Sequence, residues 1–96
     1  MRNNRFDWNE EKNGLNIQKH GISFKEAETV FNDINAIFLL DERHSFDEER
    51  FVIIGFSKKP RLLVVCHCYR ESDTVIRIIS ARKANRKETK TYGGAK

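Results

Sequence analysis

"VIRIISARKANRKETKTY", residues 75–92, opens as an apolar run interrupted by Arg77 and closes as a basic segment carrying Arg82, Lys83, Arg86, Lys87 and Lys90. Its first half is rich in β-branched residues and suits a strand. In the second half Asn85 stands three residues before Glu88, the reciprocal capping pattern of a helix N-terminus. A strand running into a helix over 85–92 is the reading from which the fold follows. Side chains alternate along a strand, so Val75, Arg77, Ile79 and Ala81 point one way and Ile76, Ile78, Ser80 and Arg82 the other. Both sets mix apolar with polar residues, which a strand with one wet face should not do. Arg77 is therefore expected at a sheet edge, paired with an acidic neighbour, or aimed into a polar site. Arg82 stands where the strand gives way to the positive end of a helix dipole. That place disfavours a cation unless an anion comes to it, and it favours phosphate contact.

Upstream, three more runs of β-branched and aromatic residues read as strands over 36–41, 50–57 and 61–69. Their links are short and turn-like, which favours an antiparallel meander. Two further capping patterns, Asp7 with Glu10 and Ser23 with Glu26, start helices over 8–19 and 24–32. Gly21 can take the left-handed conformation that closes the first at His20. In the second, Phe24, Ala27, Val30 and Phe31 share the face that meets a sheet. The expectation is an α+β single domain over 1–96: two N-terminal helices, a four-stranded antiparallel sheet with one face partly open, and a C-terminal helix.

Charge is uneven. Residues 1–76 hold 11 basic and 13 acidic side chains, whereas residues 77–96 hold 7 and 1. Such a basic stripe is the electrostatic footprint of a polyanion-binding surface, with RNA or DNA the commonest polyanion in a cell. No signal-peptide pattern or membrane-spanning run is present, so a cytoplasmic protein is expected, with Cys66 and Cys68 reduced. Few residues can do chemistry. His20 at a helix end is read first as a cap, and His44 lies among five carboxylates in the loop 41–50, where its pKa is expected to rise. His67 points to the opposite face from Cys66 and Cys68, which argues against a metal site. No Gly-rich phosphate loop, nucleophile elbow or zinc-protease motif is present.

The stretches "FDW" at 6–8, "NIQKHGISFKEAETVF" at 16–31, "DERHSFDEERFVIIG" at 41–55, "RLLVVCHCYR" at 61–70 and "IRIISARKANRKE" at 76–88 resemble, in this order, the BrnT family of type II toxins. These are ribonucleases whose fold is related to the RelE toxins. One departure is Asn9, which stands where the family often has proline. The resemblance implies metal-free RNA cleavage without a cofactor, neutralisation by a BrnA-type antitoxin, and operator DNA bound only through that antitoxin. It points to Arg61, Arg82 and Tyr92 as site residues by analogy with RelE relatives, and to Lys19 and His20 through the family's "KHG". On that basis His20 leads as acid–base group, followed by His44 and Glu49. Arg61, Arg77 and Arg82 would hold the scissile phosphate, because arginine stays charged and cannot move the proton. Lys83, Arg86 and Lys87 would hold flanking phosphates. On the residues alone, a nucleic-acid-binding module without chemistry accounts for the same stripe, and a decayed toxin serving only as antitoxin partner remains a second alternative.

Overall fold

A computed structural model describes residues 5–44 and 48–94, the side chain of His44 excepted. The elements in chain order are β1 (Arg5–Asp7), α1 (Glu10–His20), α2 (Phe24–Glu28), a 3-10 turn (Thr29–Asn32), β2 (Ile37–Leu40), a 3-10 turn (Glu42–His44), β3 (Phe51–Phe56), β4 (Leu62–Arg70), β5 (Val75–Lys83) and α3 (Arg86–Gly94). The α+β class and the three helices match the sequence reading. The sheet does not: it has five strands in the order β1-β5-β4-β3-β2, and β1 runs parallel to β5. A three-residue strand is too short to carry a readable alternation. Its ends are fixed by ion pairs instead, Arg5 to Glu71 at 2.8 Å and Asp7 to Arg77 at 3.2 Å. Asp7 is thus a strand residue and not the expected cap. Asn9 caps α1, accepting from the Lys12 amide at 3.0 Å.

The other helix ends lie where they were read, although Ser23 makes only its own half of the capping box. Gly21 closes α1 with φ 72°, and Ser23 accepts from the Glu26 amide at 3.0 Å. Asn85 and Glu88 exchange both bonds of a capping box, at 2.9 and 2.8 Å.

The mixed alternation of β5 has a definite cause. Cys66 pairs with Ser80 but His67 pairs with Ile78, so Ile79 is an extra residue, a β-bulge that resets the phase of the strand. Before it Ile76 and Ile78 face the helices; after it Ala81 does. All three are buried. Arg77, Ser80 and Arg82 consequently share the opposite face, although five positions separate the two arginines. The helix-covered face holds the core: Ile53, Leu63, Val65, Ile78 and Ala81 of the sheet against Ile22, Phe24, Ala27 and Val30. Gly55 is required there, since a Cβ would meet Val30 Cγ1 at 3.0 Å and Asp33 Oδ2 at 3.1 Å.

Beyond the short β1, the outer edge of β5 is satisfied by a side chain. The Asn16 amide donates from Nδ2 to Ala81 O and Ile22 O, both at 2.8 Å, and its Oδ1 accepts from Ala81 N–H at 3.1 Å. Asn16 therefore stands in for a strand and ties α1 to the sheet. Asn16→Ala is expected to lower stability by roughly 2–4 kcal/mol, because it leaves buried backbone groups unpaired. Urea unfolding would show a lower midpoint at unchanged slope, and a loss below about 0.5 kcal/mol would contradict this role.

Candidate nucleic-acid interface

On the open face of the sheet a cleft of ≈ 240 Å³ is lined by Arg50, Arg82, Asp41, Cys66, Ser80 and the apolar floor of Val52, Val64 and Ile79. The chain brings these together from three strands. Asp41 N–H donates to Arg50 O at 2.8 Å, closing the connection between β2 and β3 so that its two ends form one wall. The bulge delivers Ser80 and Arg82 to the other wall. Arg82 is held in a fork by Glu88 of the first α3 turn, Nη1 to Oε1 and Nη2 to Oε2, both 2.8 Å. Glu88 is itself fixed by Asn85, so the guanidinium is oriented by a carboxylate a phosphate could replace. The pair depresses the Glu88 pKa, mainly through the Arg82 hydrogen bond. Burial, aided by Asp41, pushes the Cys66 thiol up to about 11, so at neutral pH it is an un-ionised wall residue and not a nucleophile.

Arg61 lies elsewhere. Its side chain turns to the helix-covered side, where Nε donates to Glu26 Oε2 at 3.0 Å, Nη2 donates to Oε1, and Nη2 also reaches Gly21 O at 3.4 Å. Ser57 Oγ donates to the same carboxylate at 2.7 Å. Glu26 is buried and its pKa is held down, first by the Arg61 hydrogen bond. Instead of completing its capping box, this carboxylate locks α2 to the start of β4. His20, half-buried, and Lys19, exposed, sit at the end of α1 next to Gly21, so they accompany Arg61 and not Arg82.

The expected convergence of Arg61, Arg77 and Arg82 on one cleft is therefore not found. Arg77 is on the open face but pairs with Asp7, roughly 15 Å along the strand from Arg82. Lys83 is exposed at the strand end, while Arg86 and Lys87 are exposed on α3, continuing the positive surface past Arg82. Tyr92 donates to Asp33 Oδ2 at 2.7 Å and packs against Phe56, which occupies its hydroxyl in anchoring α3. Glu49 is exposed in the connection that forms the cleft wall. His44 ends the 3-10 turn of that connection, and its side chain lies outside the described residues. Arg50 and Asp41 had no signal in the sequence, since only the closure of the connection makes them neighbours.

His67 is core. Wholly buried, it places Nδ1 3.1 Å from Val65 O, leaves Nε2 without a partner, and is ringed by Phe31 at 4.9 Å, Tyr69 at 5.4 Å, and Phe38 and Phe51 at 6.2 Å. Among the described residues no group of three potential metal ligands occurs.

Residues 8–88 match the model of the family described as "Ribonuclease toxin, BrnT, of type II toxin-antitoxin system". Among solved structures, the 1.1 Angstrom-resolution crystal structure of the Brucella abortus ribonuclease toxin, BrnT, is similar with a TM-score of 0.66 at 22% identity, over 88% of this chain and 100% of that one. That likeness shows a shared fold. No curated protein matches the sequence.

Burial lowers the His67 pKa from 6.5 to about 4. Above 6.5 both folded and unfolded chains keep it neutral; between 6.5 and about 4 only the unfolded chain takes up the proton, so stability falls as pH drops through that window, by ~3 kcal/mol. His67→Phe should flatten this decline in urea titrations from pH 7 to 4. An unchanged pH slope would contradict the assignment.

Proposed function

Because the chain belongs to the BrnT family, the ribonuclease toxins of type II toxin–antitoxin systems, we propose that its RNA seat is the open-face cleft walled by Arg50 and Arg82. One observation supports this reading: Arg50 of the β2–β3 connection and Arg82 of β5 line one cleft on the open face of the sheet, and Arg82 is oriented there by the carboxylate of Glu88. An incoming phosphodiester takes the place of Glu88 on Arg82, and Arg50 faces it from the opposite wall. As the 2′-hydroxyl attacks, the two cations stabilise the charge growing on the phosphorane oxygens. The proton of the 2′-hydroxyl goes to a carboxylate of the β2–β3 connection, Asp41 in the wall or Glu49 beside Arg50. His44 of the same connection, the acid–base candidate of the sequence, is assigned the protonation of the leaving 5′-oxygen. These steps need no metal. Lys83, Arg86 and Lys87 hold flanking phosphates, giving affinity without reading sequence.

A second location is favoured by the juxtaposition of Lys19, His20 and Gly21 with Arg61. There His20 would act as acid–base group, and Arg61 would have to leave Glu26 to bind phosphate. The two locations differ in cost: freeing Arg61 strands a buried carboxylate, whereas freeing Arg82 leaves the half-buried Glu88, which still accepts from the Asn85 amide. The antitoxin partner implied by the family is read as BrnA-type, with operator DNA bound only through it. Among the described residues no helix is long and apolar enough to cross a membrane, and the site of action is proposed to be the cytoplasm.

With purified chain and a defined RNA, Arg82→Ala and Arg50→Ala should each lower kcat/KM by about 10²- to 10³-fold while leaving the unfolding free energy within about 1 kcal/mol of wild type. Cleavage should persist in EDTA. His20→Ala is expected to retain activity. Loss of cleavage in His20→Ala with full activity in Arg82→Ala would move the site to the Arg61 side.

A further inference from the structure

Exposed apolar side chains are concentrated in one segment. Of seven large apolar residues exposed among the described ones, four are Ile34, Phe38, Leu39 and Leu40, with Ile34 96% exposed. The last three are consecutive, so they show on both faces of β2, the outermost strand of the sheet. The inner side of that strand is taken: Asp41 N–H bonds Arg50 O, and the antiparallel alternation turns the backbone groups of Ile37 and Leu39 toward β3. Those of Phe38 and Leu40 therefore point outward. Natural edges are blunted by lysine, proline or a bulge, and β2 and its pairing with β3 contain none of these. From 33 to 42 the charged residues are Asp33, Asp41 and Glu42, so both ends of the strand are acidic with no base between them.

We propose that the free edge of β2 is the docking strand for the antitoxin, an inference that rests on the toxin reading above. An extended segment of the partner, apolar at its centre and flanked by lysine or arginine, adds to the sheet as a sixth strand. Backbone bonds to Phe38 and Leu40 set its register, its apolar side chains cover Ile34, Phe38, Leu39 and Leu40, and its flanking bases meet the acidic ends. Charge decides against a second copy of this chain, because antiparallel pairing of two β2 strands would bring acidic end against acidic end. Asp41 directly follows β2 and lines the cleft, so a strand added here lies along the mouth of the RNA seat and occludes it.

Leu40→Pro removes an outward N–H without touching the ladder to β3, and Leu39→Lys puts a charge among the exposed apolar groups. With the full chain and its cognate antitoxin, each variant should bind at least about tenfold more weakly while cleaving RNA as wild type does. In hydrogen exchange of the wild type, the amides of Phe38 and Leu40 should exchange quickly when free and slowly in the complex; this comparison decides even if a variant fails to fold. Equal affinity in both folded variants, or fast exchange of those amides in a formed complex, overturns the docking strand and leaves the toxin reading standing. A wild-type chain that forms no complex overturns the antitoxin reading and the proposal with it. A dimer of the free chain that Leu40→Pro dissolves assigns the edge to a second copy and overturns the proposal.

Discussion

One extra residue governs how this chain spends its charge. In a regular strand Arg77 and Arg82, five apart, would face opposite sides of the sheet, and either Arg82 or Ile78 would be misplaced. The bulge at Ile79 lets one strand supply Ile76, Ile78 and Ala81 to the core and still present Arg77, Ser80 and Arg82 on the other side. It also bends the strand where Cys66 faces Ser80, beside the cleft. Core packing and the proposed chemistry thus depend on the same local irregularity.

Three arginines of similar appearance have different jobs because their carboxylate partners differ in burial. Arg61 satisfies Glu26, which is buried and cannot be abandoned without a large penalty, so this pair is a fastener between α2 and β4. Arg77 and Asp7 form a half-exposed pair that fixes the parallel strand β1. Arg82 and Glu88 are the pair proposed to exchange: the acceptor sits on the first turn of α3, whose far end is fastened by Tyr92 on Asp33. In the proposed function, a guanidinium kept in place by this half-buried carboxylate is preorganised for an anion without being committed to one.

Much of the fold was legible because it is written in local chemistry. Ser23, Gly21 and the Asn85–Glu88 box act within a few residues, and the three longer strands declare themselves by composition. Asp7 misled because it satisfies the capping pattern while Arg77 and a parallel strand claim it first. β1 was too short to read, and the bulge appeared in the sequence only as an alternation that made no sense. The site divides the same way. Arg82 was singled out as a candidate by its position at a strand–helix junction, and it lines the open-face cleft. Arg61 followed from family resemblance, yet its side chain turns to the covered side. Arg50 and Asp41 become neighbours only through a hydrogen bond across a connection, which no spacing announces.

RNA is proposed to meet the open face at Arg50 and Arg82, and not the covered side at Arg61. This placement is tested most directly by amide NMR of the chain titrated with a short RNA carrying 2′-O-methyl groups, which binds but cannot be cleaved. Chemical-shift changes are expected at Val52, Val64, Cys66, Ser80 and Arg82, with Gly21, Glu26, Ser57 and Arg61 unmoved. Changes confined to the second group would contradict it.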